Sequence, residues 1–237
     1  MRVLVADIVA EFTPRYEESF RLAEPFLYEG DRETEIALHV SERELRDMLA
    51  LSDGRYTPGQ LENFALSTAF FRQVIAYDAL LIHSSALIYD GGAYLFSGDS
   101  GVGKSTHTRL WQKAFGEKVH IMNDDKPVVR LYEDKVVAFG TPFDGGSGIA
   151  LNESYPLKAI TFVERGELNC VRIPTSREII QKLYFQTAHM VDADTAEKML
   201  LNFEKLLTLT KFYVLTCNMD ISAAHVAFNS IIGNEKQ

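Results

Sequence analysis

The stretch "LFSGDSGVGKSTHTRLW", residues 95–111, sets Gly98, Gly103, Lys104 and Ser105 at the spacing G-x-x-x-x-G-K-[ST]. Those residue types at that spacing make a phosphate cradle. Glycines let the backbone turn until successive N–H groups converge on a phosphate, and the helix that follows adds its positive end. Lys104 brings a charge to the β- and γ-phosphates of a nucleotide, and the Ser105 hydroxyl is a ligand for Mg²⁺. The loop so read takes in Gly98, Asp99, Ser100, Gly101, Val102, Gly103, Lys104, Ser105 and Thr106. A chance glycine turn before a lysine is the competing reading. It does not require the apolar strand in front or the helical pattern behind.

A nucleotide with its metal needs a carboxylate partner. Asn123-Asp124-Asp125 closes the apolar run "VHIM" and lies about twenty residues beyond Lys104, where a metal-holding Asp belongs in phosphoryl-transfer folds. Adjacent acids on a strand point to opposite faces, or splay where the strand ends. One can hold Mg²⁺ through a water while the other reaches a substrate hydroxyl, and their order is open. The competing reading is a solvated acidic turn before Lys126-Pro127. No N-K-x-D guanine motif occurs, which favours ATP over GTP.

These residues must be held by neighbouring elements. "ALLIHSSALIY" (79–89) and "AYLFSG" (93–98) read as strands joined by Asp90-Gly91-Gly92, a hairpin signal. "STHTRLWQKAF" reads as the helix after the loop. "VHIMNDD", "PVVRLY" and "KVVAFG" read as strands, and "LKAITFVERGELNCVRI" as a further hairpin. Upstream, Thr57, Pro58 and Gln60 form a capping-box start to a helix through "QLENFALSTAFFRQVIAY". Ser41 precedes a shorter helix, "ERELRDMLAL". The last third gives helices over roughly 175–186 and 193–208, a strand "KFYVLTC" and a final helix after Asp220. The expected fold is therefore α/β: a compact mixed, hairpin-rich sheet with flanking helices, preceded by a small β-rich segment. The expected division is 1–56 for that segment and 57–237 for the phosphate-loop domain.

A net charge of -9 argues against nucleic acid as a partner. No apolar run is long enough to span a bilayer, and "MRVLVADIVAEF" lacks the pattern of a signal peptide. A cytoplasmic location is the expectation. Cys170 and Cys217 lack metal or disulfide-framework spacing and read as buried free thiols.

The loop "GDSGVGKS", the preceding "HSS" with His83, and the following "NDD" resemble the kinase domain of HPr kinase/phosphorylase. That domain shares its fold with ATP-dependent phosphoenolpyruvate carboxykinases. The resemblance spans roughly residues 79–190, and "FGTPFDGG" and "PLKAITFVERGE" look like the shorter HPr-kinase-like proteins found beside biosynthetic genes. It implies phosphates on Gly98 to Ser105, with Lys104 on the β- and γ-groups. It implies Ser105 and Asp125 as magnesium ligands, Asp124 as the acid that accepts the substrate proton, and His83 close to the phosphates. The activity implied is an ATP- and Mg²⁺-dependent kinase acting on a hydroxyl, by resemblance a serine, of a peptide, a small protein or a small molecule. Homo-oligomers are common in such families. The alternative class is a nucleotide-binding regulatory or scaffold subunit, and a lesser one a simple NTPase.

Weaker candidates carry two readings each. Asp144 and Thr141, in "GTPFDGGSG", face the site from a mobile loop or sit in an ordinary turn. Glu164 and Arg165 make a hairpin turn, or Arg165 meets a phosphate. Arg130 reads as a surface strand residue. Trp111 and Phe115, at i, i+4, read as core packing before an adenine stack. His107 and His189 have no partner at metal-ligand spacing.

Overall fold

A strand that is apolar on both faces belongs inside a sheet, and the segments flanking the phosphate loop are of that kind. The computed structural model describes residues 1–187 and 191–233. In chain order, β1 (Arg2–Val5), β2 (Ile8–Glu11) and β3 (Ile36–Ala37) make the small three-stranded amino-terminal sheet. Two helices accompany it, α1 (Glu17–Ala23) and α2 (Glu42–Ser52). α1 departs from the β-rich expectation for this segment, because buried Ser19, Leu22, Ala23 and Phe26 keep a helical period. Ser41 caps α2, accepting from the Glu44 N–H at 3.1 Å. α3 (Pro58–Val74) opens on the expected capping box: the Gln60 N–H donates to Thr57 Oγ1 and the Thr57 N–H to Gln60 Oε1.

There follow β4 (Ala79–Leu81), β5 (Ser84–Tyr89), β6 (Gly92–Ser97), α4 (Lys104–Phe115), β7 (Val119–Asp125), β8 (Val128–Leu131) and β9 (Val136–Phe139). Then come β10 (Ser154–Arg165), β11 (Cys170–Arg172), α5 (Ser176–Thr187), α6 (Ala193–Leu209), β12 (Lys211–Cys217) and α7 (Ser222–Ile231). The larger sheet is mixed. β10 is its hinge: its first residues pair antiparallel with β9, and its remainder runs parallel to β6 and β12. On one side of the hinge lies β4-β8-β9, on the other β6-β5-β7.

The β5–β6 hairpin closes through Asp90 and Gly91, both at positive φ (49° and 70°), the backbone of a type I′ turn. Two strand expectations change. Residues 79–89 are not one strand, because β4 joins β8 in one half of the sheet while β5 joins β6 and β7 in the other. Nor do β10 and β11 pair with each other: β12 lies between them, parallel to β10 and antiparallel to β11. The short turn at Gly166–Asn169 misleads because long-range pairing to β12 overrides the local hairpin signal.

Alternate side chains of β5 and β6 feed two apolar layers. Leu87, Tyr94 and Phe96 pack with Trp111 of α4 and the alanines of α7, whereas Ala86, Ile88, Ala93 and Leu95 share a layer with α3, α5, α6 and the amino-terminal sheet. Among the described residues, no helix is long and apolar enough to cross a membrane.

Candidate active site

The chain leaves one half of the larger sheet for the other at Ile82-His83, and again at Lys126-Pro127. The Ile82 N–H donates to the Pro127 carbonyl at 3.1 Å, so the two breaks sit together. This seam gathers the chemistry.

The phosphate loop leaves β6 and enters α4. Gly101 (φ 75°) and Gly103 (φ 117°) hold backbone conformations that side-chain-bearing residues rarely adopt. Gly103 offers α4 no side-chain cap, so no cap competes for the first-turn N–H groups, the donors that a helix start can offer an anion. The Lys104 ammonium folds onto the loop and donates to the carbonyls of Gly98 (3.0 Å) and Asp99 (3.2 Å). Burial lowers its pKa, against the pull of Asp125, Asp124 and Asp99. From the end of β10, Arg165 donates to the Gly101 and Val102 carbonyls, so it braces the loop rather than forming a hairpin turn.

The two acids splay. The Ser105 hydroxyl donates to Asp124 Oδ1 at 2.8 Å. Asp125 turns away, with Oδ1 3.1 Å from His83 Nε2 and Oδ2 3.4 Å from Lys126 Nζ. Burial pushes the Asp125 carboxyl up, but the His83 hydrogen bond and the Lys126 charge together hold it below the usual carboxylate range. Burial lowers the pKa of Lys126, opposed by Asp125 and by Asp144. Its ammonium lies over the Phe64 ring, 4.3 Å from the centroid. On its other side, His83 Nδ1 meets Gln186 Oε1 at 3.1 Å, and Gln186 Nε2 donates to Asp99 Oδ1 at 3.1 Å.

A buried frame holds this arrangement. Asn123 Nδ2 donates to the Thr141 carbonyl at 2.9 Å, Asn123 Oδ1 accepts from the Lys126 N–H, and Thr141 Oγ1 donates to the Lys126 carbonyl at 2.7 Å. Thr141 is therefore part of the scaffold. Asp144 lines the cleft, but its carboxylate accepts from the Gly148 N–H of its own loop. Asn63 of α3 ties down the same loop, donating to the Pro142 carbonyl. At Gly145 a Cβ would come within 3.1 Å of the Asp125 side chain, a close approach that favours glycine.

Two cavities flank the seam. One, of about 690 Å³, has His83, Asp125 and Lys126 facing Tyr56, Leu61 and Phe64. The other, of about 620 Å³, lies between Val102, Phe162, Arg165 and Lys182. Among the described residues, no cluster of three or more His, Cys, Asp or Glu has the makings of a metal cage. Ser105 and Asp124 still fit Mg²⁺, which is held by one or two protein oxygens and completed by water and phosphate.

Other candidates lie apart from this chemistry. Arg130 donates to the Ala6 carbonyl at 2.7 Å and ties β8 to the amino-terminal sheet. Trp111 is fully buried against Phe115, in keeping with core packing. His107 is buried on α4, and His189 lies outside the described residues. Cys217 is buried as expected, whereas Cys170 is exposed because β11 is the outermost strand at its end of the sheet.

The sequence reading missed Lys126, Asn63 and Gln186. Gln186 had a signal: it continues the buried positions Ile179 and Leu183 at helical spacing, a polar residue where the pattern calls for an apolar one.

No protein-family model matches the chain, and no curated protein matches it. Among solved structures, the chain is similar to the HPr(Ser) kinase/phosphatase from Coxiella burnetii. The match has 11% identity and a TM-score of 0.29, covering 54% of this chain and 97% of that one.

Proposed function

We propose that this chain is an ATP- and Mg²⁺-dependent kinase that transfers the γ-phosphoryl group to a hydroxyl of a peptide, small protein or small molecule. One observation carries the reading. The phosphate loop delivers Ser105 onto Asp124 at the same seam where Asp125, held by His83 and Lys126, faces an open cleft.

The partners of the two acids support an order. A hydroxyl and a carboxylate already in contact form the oxygen pair for Mg²⁺, so we assign the metal to Ser105 with Asp124. This reverses the order that the sequence resemblance implies. Mg²⁺ bound there supplies charge neutralisation for the β- and γ-phosphates. Asp125 then faces the acceptor. In the transfer, the bond between the γ-phosphorus and the β,γ-bridging oxygen breaks and a bond to the acceptor oxygen forms. Asp125 takes the hydroxyl proton, and ADP leaves. Such a reaction asks mainly for positioning and charge neutralisation, with a carboxylate to orient the nucleophile. Lys104 would exchange the loop carbonyls it now meets for the β- and γ-phosphates.

The test uses purified protein, γ-labelled ATP, Mg²⁺ and a panel of serine peptides, small carrier proteins and small alcohols. Label should pass to an acceptor, and Lys104→Ala should abolish the transfer; activity that survives this change overturns the assignment. Asp125→Asn should lower kcat by about 10²–10⁴-fold, the worth of a positioned base, with the Mg²⁺ requirement unchanged. Asp124→Asn should instead raise the Mg²⁺ concentration needed. Tight Mg·ATP binding without turnover on any acceptor would mark a regulatory subunit instead.

A further inference from the structure

The two cavities at the seam share three lining residues, Asp99, Phe185 and Gln186. The last turn of α5 thus forms a partition between them. Gln186 is buried there, and both ends of its amide are engaged. Its nitrogen donates to Asp99 of the phosphate loop, its side-chain oxygen meets His83 Nδ1, and its backbone carbonyl accepts the His83 N–H at 2.9 Å. His83 is fixed a third way, since Ser97 Oγ donates to its carbonyl at 2.9 Å.

The direction of this chain is set by chemistry. A carboxylate only accepts, so the amide nitrogen must face Asp99 and the amide oxygen must face His83. Both ring nitrogens of His83 therefore face acceptors and donate, Nδ1 to the amide oxygen and Nε2 to the Asp125 carboxylate. We propose that Gln186 is a positioning residue: it links the phosphate loop to the acceptor-side acid through Asp99, Gln186, His83 and Asp125. Its amide is committed to protein partners at both ends, Asp99 and His83. Its work is to hold the His83 ring in one orientation, with a donor toward Asp125, so that the acid meets the hydroxyl in line with the loop. The same logic recurs where an outer partner fixes a functional histidine.

This inference rests on the kinase reading for its kinetic consequence but not for its geometric one, and the experiment separates the two. Gln186→Met fills the same space with no donor or acceptor. Gln186→Glu keeps an acceptor for His83 but loses the donor toward Asp99. Three readouts are compared with wild type: the His83 ring signals by ¹⁵N NMR, Mg·ATP affinity with a fluorescent ATP analogue, and phosphate release with water as acceptor.

The protonated Nδ1 signal of His83 should be present in wild type, lost in Gln186→Met and retained in Gln186→Glu. Misaiming a reacting group costs on the order of tenfold to a hundredfold. Phosphate release in Gln186→Met should fall by that factor with Mg·ATP affinity unchanged, and Gln186→Glu should recover part of it. A Gln186→Met protein with the wild-type His83 signal and wild-type release overturns the proposal, as does one whose ring changes while release does not. If wild type neither binds Mg·ATP nor releases phosphate, the kinase reading fails. The ring signals then still decide whether Gln186 orients His83.

Discussion

His83 and His107 flank the phosphate loop from two regions of opposite character. His83 stands at the seam, its side chain about a quarter exposed, between a carboxylate and an amide. His107 sits one turn into α4, 2% exposed, where its Nε2 accepts from Trp111 Nε1–H at 2.9 Å and its ring lies 4.7 Å from that of Phe96. Burial pushes His107 down to about 4, which leaves it neutral near neutrality, and its Nδ1 has no hydrogen-bond partner among the described residues. Closeness to the loop in sequence does not make a residue chemical. Charged and polar partners around an open cleft do, whereas His107 has only the Trp111 N–H, inside a closed aromatic layer.

The largest expected effect breaks the aromatic region. Trp111 is fully buried and packs on Phe96, Phe115 and Phe228. Trp111→Ala should cost about 3–5 kcal/mol of unfolding free energy, and more if the buried His107 is left without a donor. His83→Ala removes a partly exposed ring and should cost about 1 kcal/mol while suppressing phosphoryl transfer. Denaturant unfolding of both variants checks the contrast; similar losses would mean the two regions are not distinct.

The next effect is pH-dependent. His107 has a folded pKa of about 4, against roughly 6.5 for an unperturbed histidine. The unfolded chain therefore takes up the proton first. The stability tied to neutral His107 is present above about pH 6.5 and is lost as pH falls toward 4, roughly 3 kcal/mol in all at ~1.4 kcal/mol per pH unit. His107→Gln keeps an acceptor for Trp111 and should flatten that part of the slope, as measured by denaturant unfolding between pH 4 and 7. Parallel slopes for the two proteins would assign the acid loss to other groups.

The same contrast explains what was legible beforehand. The loop, the helix after it and the acid pair have local signatures, because backbone turning and charge placement are written in adjacent residues. The capping box at Thr57 and the Asp90-Gly91 turn are local too, and both appear in the fold. The seam is not local. It depends on β4 and β5 joining different halves of one sheet, on β10 changing partners along its length, and on Gln186 arriving from a helix about one hundred residues away from His83. Identical residue types, Asp124 and Asp125, differ only because Ser105 reaches one and His83 the other. No spacing rule encodes that.

The smallest effect sharpens the comparison from the cleft wall. α3 carries Phe64, beneath the Lys126 ammonium, and Asn63, which ties the Gly-rich loop. Its start depends on Thr57, whose Oγ1 accepts from the Gln60 N–H and donates to Glu18 Oε2 at 2.8 Å. Thr57→Ala removes both bonds and should cost about 1 kcal/mol, the usual worth of a helix cap. The loss should appear as a lower denaturation midpoint with an unchanged denaturant slope, since no additional surface is exposed on unfolding. Mg·ATP affinity should stay at its wild-type value if, as proposed, the nucleotide's phosphates rest on the loop and α4 while α3 lines the cleft opposite them. An affinity that falls with the cap would mean that the wall and the cradle are one cooperative unit, and the division between the two sides of the seam would have to be redrawn.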